Sequence, residues 1–204
     1  MSRTSARLEG RVRRDYGREA DAIIAMLADS PHDERVQAAA VLFAAGRLDR
    51  LLDSLALADT DWRDTLMRIH QTAYDLADDG WEARLDAALG PGAPVVLWRP
   101  TGPAELALVE QSGWREWPPR LPEQPIFYPV VNRDYAARIA KQWNVPASGV
   151  GYVTRFEVEA EFMNGYAIQQ AGGQTILEYW IPAQDLNQLN ANIIGRIHLI
   201  EEFN

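Results

Sequence analysis

The chain contains no cysteine in 204 residues. That excludes a disulfide scaffold, a thiol nucleophile and any zinc–thiolate centre. Lysine is nearly missing as well: Lys141 stands against nineteen arginines. The skew reads first as a bias toward GC-rich codons and second as phosphate recognition. No apolar run approaches the roughly 20 residues a membrane helix needs. The basic start MSRTSARLEGRVRRDYGREA lacks an apolar stretch behind it, so a secretory leader is not expected and a cytoplasmic location is. Among chemical motifs, there is no GxGxxG after a strand, no Walker loop and no GxSxG elbow. Only Ser112 and Ser148 follow residue 90, which disfavours a serine hydrolase. After residue 90 no HxxxH or DxD cluster suggests a metal, and no metal is expected.

What is present is an ordinary globular composition, 47% hydrophobic and 24% charged. The net charge is −9, and both halves share it. There are 12 basic and 17 acidic side chains before residue 91, and 8 and 12 after it. Neither half is a basic patch, so non-specific binding to a nucleic-acid backbone is disfavoured. Proline marks a seam. Pro31 is the only one before residue 91, and eleven of the twelve lie from Pro91 onward. The segment Gly90-Pro91-Gly92-Ala93-Pro94 cannot continue a helix. The expectation is two domains, 1–90 and 91–204, each long enough for a modest core.

The first region is helical. Ile23, Ile24 and Leu27 recur at helix spacing; Val36, Ala40 and Phe43 form a second stripe closed by Gly46. Leu48, Leu51, Leu52 and Leu55 give a third, and Trp62, Leu66 and Ile69 a fourth, with N-cap candidates among Asp59 to Asp61. Trp81, Leu85 and Leu89 make a fifth after Asp79-Gly80. A helical bundle with a regulatory or partner-docking role follows. His32 and His70 read as surface or capping residues.

The second region alternates strand and helix, giving an α+β class overall. Strands are predicted at Pro94–Trp98, Ile126–Val131, Tyr152–Glu159, Thr175–Ile181 and Arg196–Phe203. Helices are predicted from Thr101 to Glu110, from Arg133 to Trp143 behind an Asn132 cap, and from Pro182 to Ile194. Turns fall at Asn164-Gly165 and Gly172-Gly173, and a proline-rich loop spans Trp114 to Pro125.

Four places in this region could carry chemistry. Glu178 shares its strand face with Ile176 and Trp180, and the other face is apolar too. A carboxylate in an interior strand needs specific partners or a wet cleft. It is either a site, a structural Glu paired with an Arg, or a Glu at a strand edge. Arg99 ends the first strand before a helix start, where it can meet a phosphate or ribose, or simply bridge to Glu105. Tyr128, in an aromatic run with Phe127 and near Trp114, Trp117 and Tyr152, can stack a planar ring or belong to the core. Arg115, Arg120 and Gln124 could close over a ligand. By contrast, Glu157, Glu159 and Glu161 alternate opposite Phe156 and Val158, as on a solvated face, and His198 reads as a lone strand residue.

Four stretches carry a resemblance: LWRPTGPAELALVEQSGW, WPPRLPEQPIFYPVVNRDYAARIAKQWN, GYVTRF and LEYWIPAQDLNQLNANIIGRI. From Leu97 to Phe203 they are similar to a family of small bacterial domains often labelled ADP-ribosylation/crystallin. The order of Arg99, Tyr128 and Glu178 also resembles the ADP-ribosyltransferase fold, with Arg or His on a first strand, an aromatic on a second strand before a helix, and Glu on a late strand. The resemblance implies a mixed sheet with intervening helices that takes NAD as a substrate. Arg99, with Thr101 beside it, would hold ribose or pyrophosphate, Tyr128 would stack on nicotinamide, and Glu178 would be the catalytic residue. A macromolecular acceptor would take the ADP-ribose. Ile176 stands where an E-x-E signature for arginine modification would need Glu or Gln, which leaves the acceptor open. The alternative is a non-enzymatic module on the same fold that binds a protein or a nucleotide.

Overall fold

A serine starts the first helix. Ser5 Oγ accepts from the Leu8 amide (3.3 Å) and caps α1, Ala6–Tyr16. The computed structural model describes residues 4–70, 72, 74–90, 92–171 and 176–204. It divides into two units, Met1–Ala93 and Pro94–Asn204. Pro91 of the expected seam, the Gly172-Gly173 turn and Thr175 lie outside the described residues.

The first unit is all helical. Helix α1 is absent from the sequence expectation because four arginines mask its apolar spacing. Leu8, Val12 and Tyr16 nevertheless bury one face completely. Next come α2 (Ala20–Asp29), α3 (Glu34–Ala44), α4 (Leu48–Ile69) and α5 (Trp81–Leu89). Asp33 caps α3 by accepting from the Val36 amide, and the helix stops at Ala45 and Gly46, both at positive φ (49° and 82°). The third and fourth predicted helices run together as α4 with a break at Asp61 (φ −150°, ψ 110°). Asp61 accepts from the Arg63 amide and so restarts the second half. The core is mainly aliphatic: Leu27, Val41, Leu51, Leu76 and Leu85 are fully buried. Each contributes roughly 1.5–3 kcal/mol of burial free energy.

The second unit is mixed α+β. Strand β1 (Val95–Thr101) leads to α6 (Pro103–Gln111) and, after the proline-rich loop, to the short β2 (Ile126–Phe127). Helix α7 (Arg133–Ile139) continues through a π turn (Ala140–Asn144) into α8 (Val145–Ser148). Asn132 caps α7 as expected, its side-chain oxygen accepting from the Tyr135 amide at 2.7 Å. Then follow β3 (Gly151–Val158), α9 (Ala160–Met163), β4 (Ile168–Gln170), β5 (Leu177–Tyr179), β6 (Ile181–Pro182), α10 (Leu186–Ala191) and β7 (Ile193–Phe203). Gly151 has no alternative there: a Cβ would lie 2.4 Å from the Ala140 carbonyl oxygen.

Strands β1, β3 and β7 form an antiparallel sheet with β3 in the centre. Strand β2 pairs with β6, and β4 with β5. The predicted Ile126–Val131 strand is interrupted because Pro129 has no amide to donate. Past it, Val130 bridges to Trp98 of β1 on one side and to Glu178 of β5 on the other. Its amide and carbonyl both exchange hydrogen bonds with Trp98 (2.8 and 2.9 Å). One face packs Val96, Trp98, Val130 and Val153 under Ala136 and Ala140 of the α7 segment. The other packs Leu97, Phe127, Phe156, Tyr179 and Ile181 against Val109, Trp117, Leu186 and Leu189.

Two sequence expectations need correction. Glu157 is buried, at 4% exposure, and pairs at 2.8 Å with the equally buried Arg155. A central strand with both faces covered has no solvated side, so alternation alone misplaces its charges. The last helix is also shorter than predicted, because β7 already begins at Ile193 and takes Gly195 (φ 73°) into its irregular stretch.

Candidate functional site

Pairing register decides which candidates can meet. Residues directly opposite one another in a sheet project to the same face. Glu178, Val130 and Trp98 therefore share the face covered by α7, and Arg155 and His198 continue that row. Gln169 of β4 stands opposite Glu178 and joins the same face. Arg99 follows Trp98 and projects to the other face.

On the α7 face, Glu178 is 9% exposed. Its carboxylate accepts from Trp180 Nε1 at 2.7 Å. The Tyr135 phenol lies close enough to feel this charge: burial, then the charge of Glu178, pushes it above its usual range. Trp180 lies two residues beyond Glu178, and its ring meets Tyr128 edge-on, with centroids 6.1 Å apart and planes at 83°. Both aromatics are open to solvent, Tyr128 at 38% and Trp180 at 47%. The result is a nearly buried carboxylate beneath an exposed aromatic corner. Trp117 and Phe127 are not part of it: they pack with Phe156 in the opposite core.

On the other face, Glu105 of α6 organises a second polar group. Its carboxylate accepts from Arg99 Nη2 (3.1 and 3.2 Å), Arg120 Nη1 (2.9 Å) and the Thr101 hydroxyl (3.0 Å). Phe127 lies beneath both guanidinium groups, 4.8 and 5.9 Å from its ring centre. Burial and then the Arg99 charge hold the Arg120 guanidinium below its usual range, against the opposing pull of Glu105. Gln124 accepts from Arg120, so the proline-rich loop is tied to this group. Thr101 is the last residue of β1 and does not cap the next helix; Gly102 takes the N-cap position.

Tyr128 joins the two groups. Its carbonyl accepts from Arg99 Nη1 at 3.2 Å while its ring faces Trp180. The three sequence candidates are thus connected through Tyr128 but do not line one hollow: the Arg99 guanidinium and the Glu178 carboxylate lie on opposite faces. Sequence reasoning assigned no role to Trp180 or Tyr135. The signal for Trp180 was its i+2 position on the Glu178 face. Tyr135 gave only helical periodicity, and nothing in the sequence tied it to Glu178. Among the described residues no cluster of His, Cys, Asp or Glu could hold a metal, and no helix is long and apolar enough to cross a membrane. No family model, curated protein or solved structure matches the chain.

Proposed function

We propose that the second unit is an ADP-ribosyltransferase-like domain that binds NAD as a substrate and passes ADP-ribose to a macromolecular acceptor. The observation that carries this reading is the Glu178 carboxylate, held by Trp180 beside the open Tyr128–Trp180 corner. In the reaction, nicotinamide stacks in that corner. Glu178 accepts a hydrogen bond from the ribose 2′-hydroxyl and stabilises the oxocarbenium-like charge that develops at C1′. The C1′–N bond breaks, its electron pair leaves with nicotinamide, and an acceptor nucleophile forms the new bond at C1′ and releases a proton. Arg99 and Thr101 act from the opposite face. By gripping Glu105 and the Tyr128 carbonyl they fix where the aromatic corner stands, a positioning role rather than contact with the ring. The order of an Arg strand, an aromatic segment before a helix and a late Glu strand supports the same reading, because the aromatic segment bridges the other two.

A second reading is a non-enzymatic module that binds a protein or a nucleotide. The engagement of Arg99 with Glu105, away from Glu178, favours it. The helical unit then serves as a docking element, and the exposed Leu48, Leu52, Trp62 and Met67 of α4 offer apolar contact. Incubation with labelled NAD separates the two readings. The transferase releases nicotinamide and labels an acceptor, and Glu178→Gln lowers both by at least about 100-fold, in the range expected for a lost electrostatic stabiliser. Binding of NAD with no release of nicotinamide by the wild type leaves the binding module.

A further inference from the structure

We propose that Arg115, Glu116 and Asn187 form a binding site for a free α-amino acid. The start of the proline-rich loop, one side of α10 and the irregular start of β7 enclose a cavity of about 400 Å³. That volume lies in the range of pockets that take small molecules. Asn187, Asn190 and Ala191 follow one another at i, i+3 and i+4, so a single helix face lines it. Ile193 and Gly195 close it from β7. Glu178, Tyr128 and Trp180 are not among its walls.

The fold itself fixes the frame of this cavity. Asn190 clamps the Trp117 backbone with both ends of its amide, each at 2.9 Å, which ties the loop to α10. Ser112 Oγ accepts from the Arg115 and Glu116 amides, both at 3.1 Å. Just before them Trp114 sits at φ 65°, a conformation that bulky residues rarely adopt. Its amide donates to the Val109 carbonyl (3.0 Å) and its carbonyl accepts from the Ile197 amide (2.7 Å), so the strained residue is pinned at both ends. Strain held in this way clusters at ligand clamps.

Against that frame three side chains are idle. Four arginines of the unit are held by carboxylates: Arg99 and Arg120 by Glu105, Arg133 by Glu201 and Arg155 by Glu157. Of the loop residues expected to close over a ligand, Arg120 and Gln124 are engaged with Glu105 and with each other. The Arg115 guanidinium, the Glu116 carboxylate and the Asn187 amide have no hydrogen-bond or ion-pair partner among the described residues. Arg196 is unpaired too, but it does not line the cavity.

The charges of these side chains select the ligand. One cation and one anion on adjacent residues match a zwitterion. Arg115 can take an α-carboxylate as a bidentate pair, and Glu116 an α-ammonium group. Asn187 can both donate and accept, while Ala191 and Ile193 offer an apolar wall to the rest of the molecule. A phosphate would meet Glu116 and a diamine would meet Arg115, so each is opposed by a like charge.

The test titrates the full chain with glycine, L-alanine, L-leucine and L-glutamine. The readout is the pair of Asn187 side-chain amide resonances, assigned by their loss in Asn187→Asp. At least one amino acid should shift them saturably, with a Kd below about 10 mM. The N-acetyl and carboxamide forms of the tightest binder each keep only one charge and should bind at least about tenfold more weakly. Arg115→Gln and Glu116→Gln should weaken the intact amino acid by a similar factor. Ala191→Phe, which fills the cavity and leaves every charge in place, should abolish binding. The two derivatives are tested on the wild-type chain, so they decide the question even where a variant fails to fold. Asn187 resonances unmoved by all four amino acids up to about 100 mM, or moved equally by the derivatives, overturn the site. So does unchanged affinity in a folded Arg115→Gln, Glu116→Gln or Ala191→Phe chain.

Discussion

Each unit of this protein buries charge, and the two do so differently. In the helical unit, Arg11 and Asp15 lie one turn apart on α1 with no exposed surface, joined at 2.9 Å, and Arg11 also donates to the Ala88 carbonyl. The Arg11 guanidinium also lies 5.8 Å from the centre of the Tyr74 ring, so the pair's partners come from the same unit. In the sheet unit, Arg155 and Glu157 repeat that arrangement two residues apart on the central strand. Glu178 departs from it: the hydrogen bond its carboxylate accepts comes from the neutral indole of Trp180, itself exposed beside Tyr128. A buried charge that the fold itself neutralises is structural. One left to a neutral donor at the edge of an open surface is where a ligand can supply what the fold does not.

The comparison predicts a gradient of stability effects. Asp15→Ala takes the carboxylate from a buried guanidinium and should cost about 3–5 kcal/mol in urea unfolding, and Glu157→Ala should cost a similar amount for the same reason. Asn132→Ala removes the α7 cap and should cost about 1 kcal/mol. Glu178→Gln keeps an acceptor for Trp180 and removes a charge without a cationic partner, so it should change stability by less than about 1 kcal/mol. A Glu178→Gln loss as large as that of Asp15→Ala would place Glu178 with the structural pairs and erase the contrast.

How much of this was legible in the sequence varied with the range of the interactions. Local signals worked well. Asn132 was readable as a cap, the five apolar stripes of the first unit all fall within helices, and the acidic run Asp59–Asp61 does restart a helix at Asp61. The anomaly of Glu178 was visible because two apolar faces flank it within six residues. The failures came from contacts made across the sheet. Glu157 looked solvated because alternation cannot say whether the second face of a strand is covered, and α7 covers it. Whether Arg99 and Glu178 share a face depends on Val130, whose double bridge has no local signature. Tyr135 comes within range of the Glu178 charge only after α7 has packed on the sheet. Helix α1 was hidden because its inner face carries Arg11 and Asp15 among Leu8, Val12 and Tyr16, which breaks the apolar count.

The smallest expected effect concerns pH. Tyr166, just after α9, donates its hydroxyl to Asp185 at 3.0 Å and packs against Phe162. Burial and the adjacent carboxylate push its phenol up to about 12 from an ordinary 10.0. The folded state therefore holds this proton more tightly than the unfolded state does. The resulting stabilisation is complete below about pH 10 and is lost as pH rises through about 12. Tyr166→Phe removes the titrating group but keeps the ring. The stability gap between wild type and variant should be constant below about pH 10 and then narrow toward about pH 12. Paired urea melts at about pH 8, 10 and 11.5 span that window and measure the gap directly. A constant gap across the series would mean that the hydroxyl gains nothing from Asp185, leaving the ring contact with Phe162 to join α9 to its surroundings.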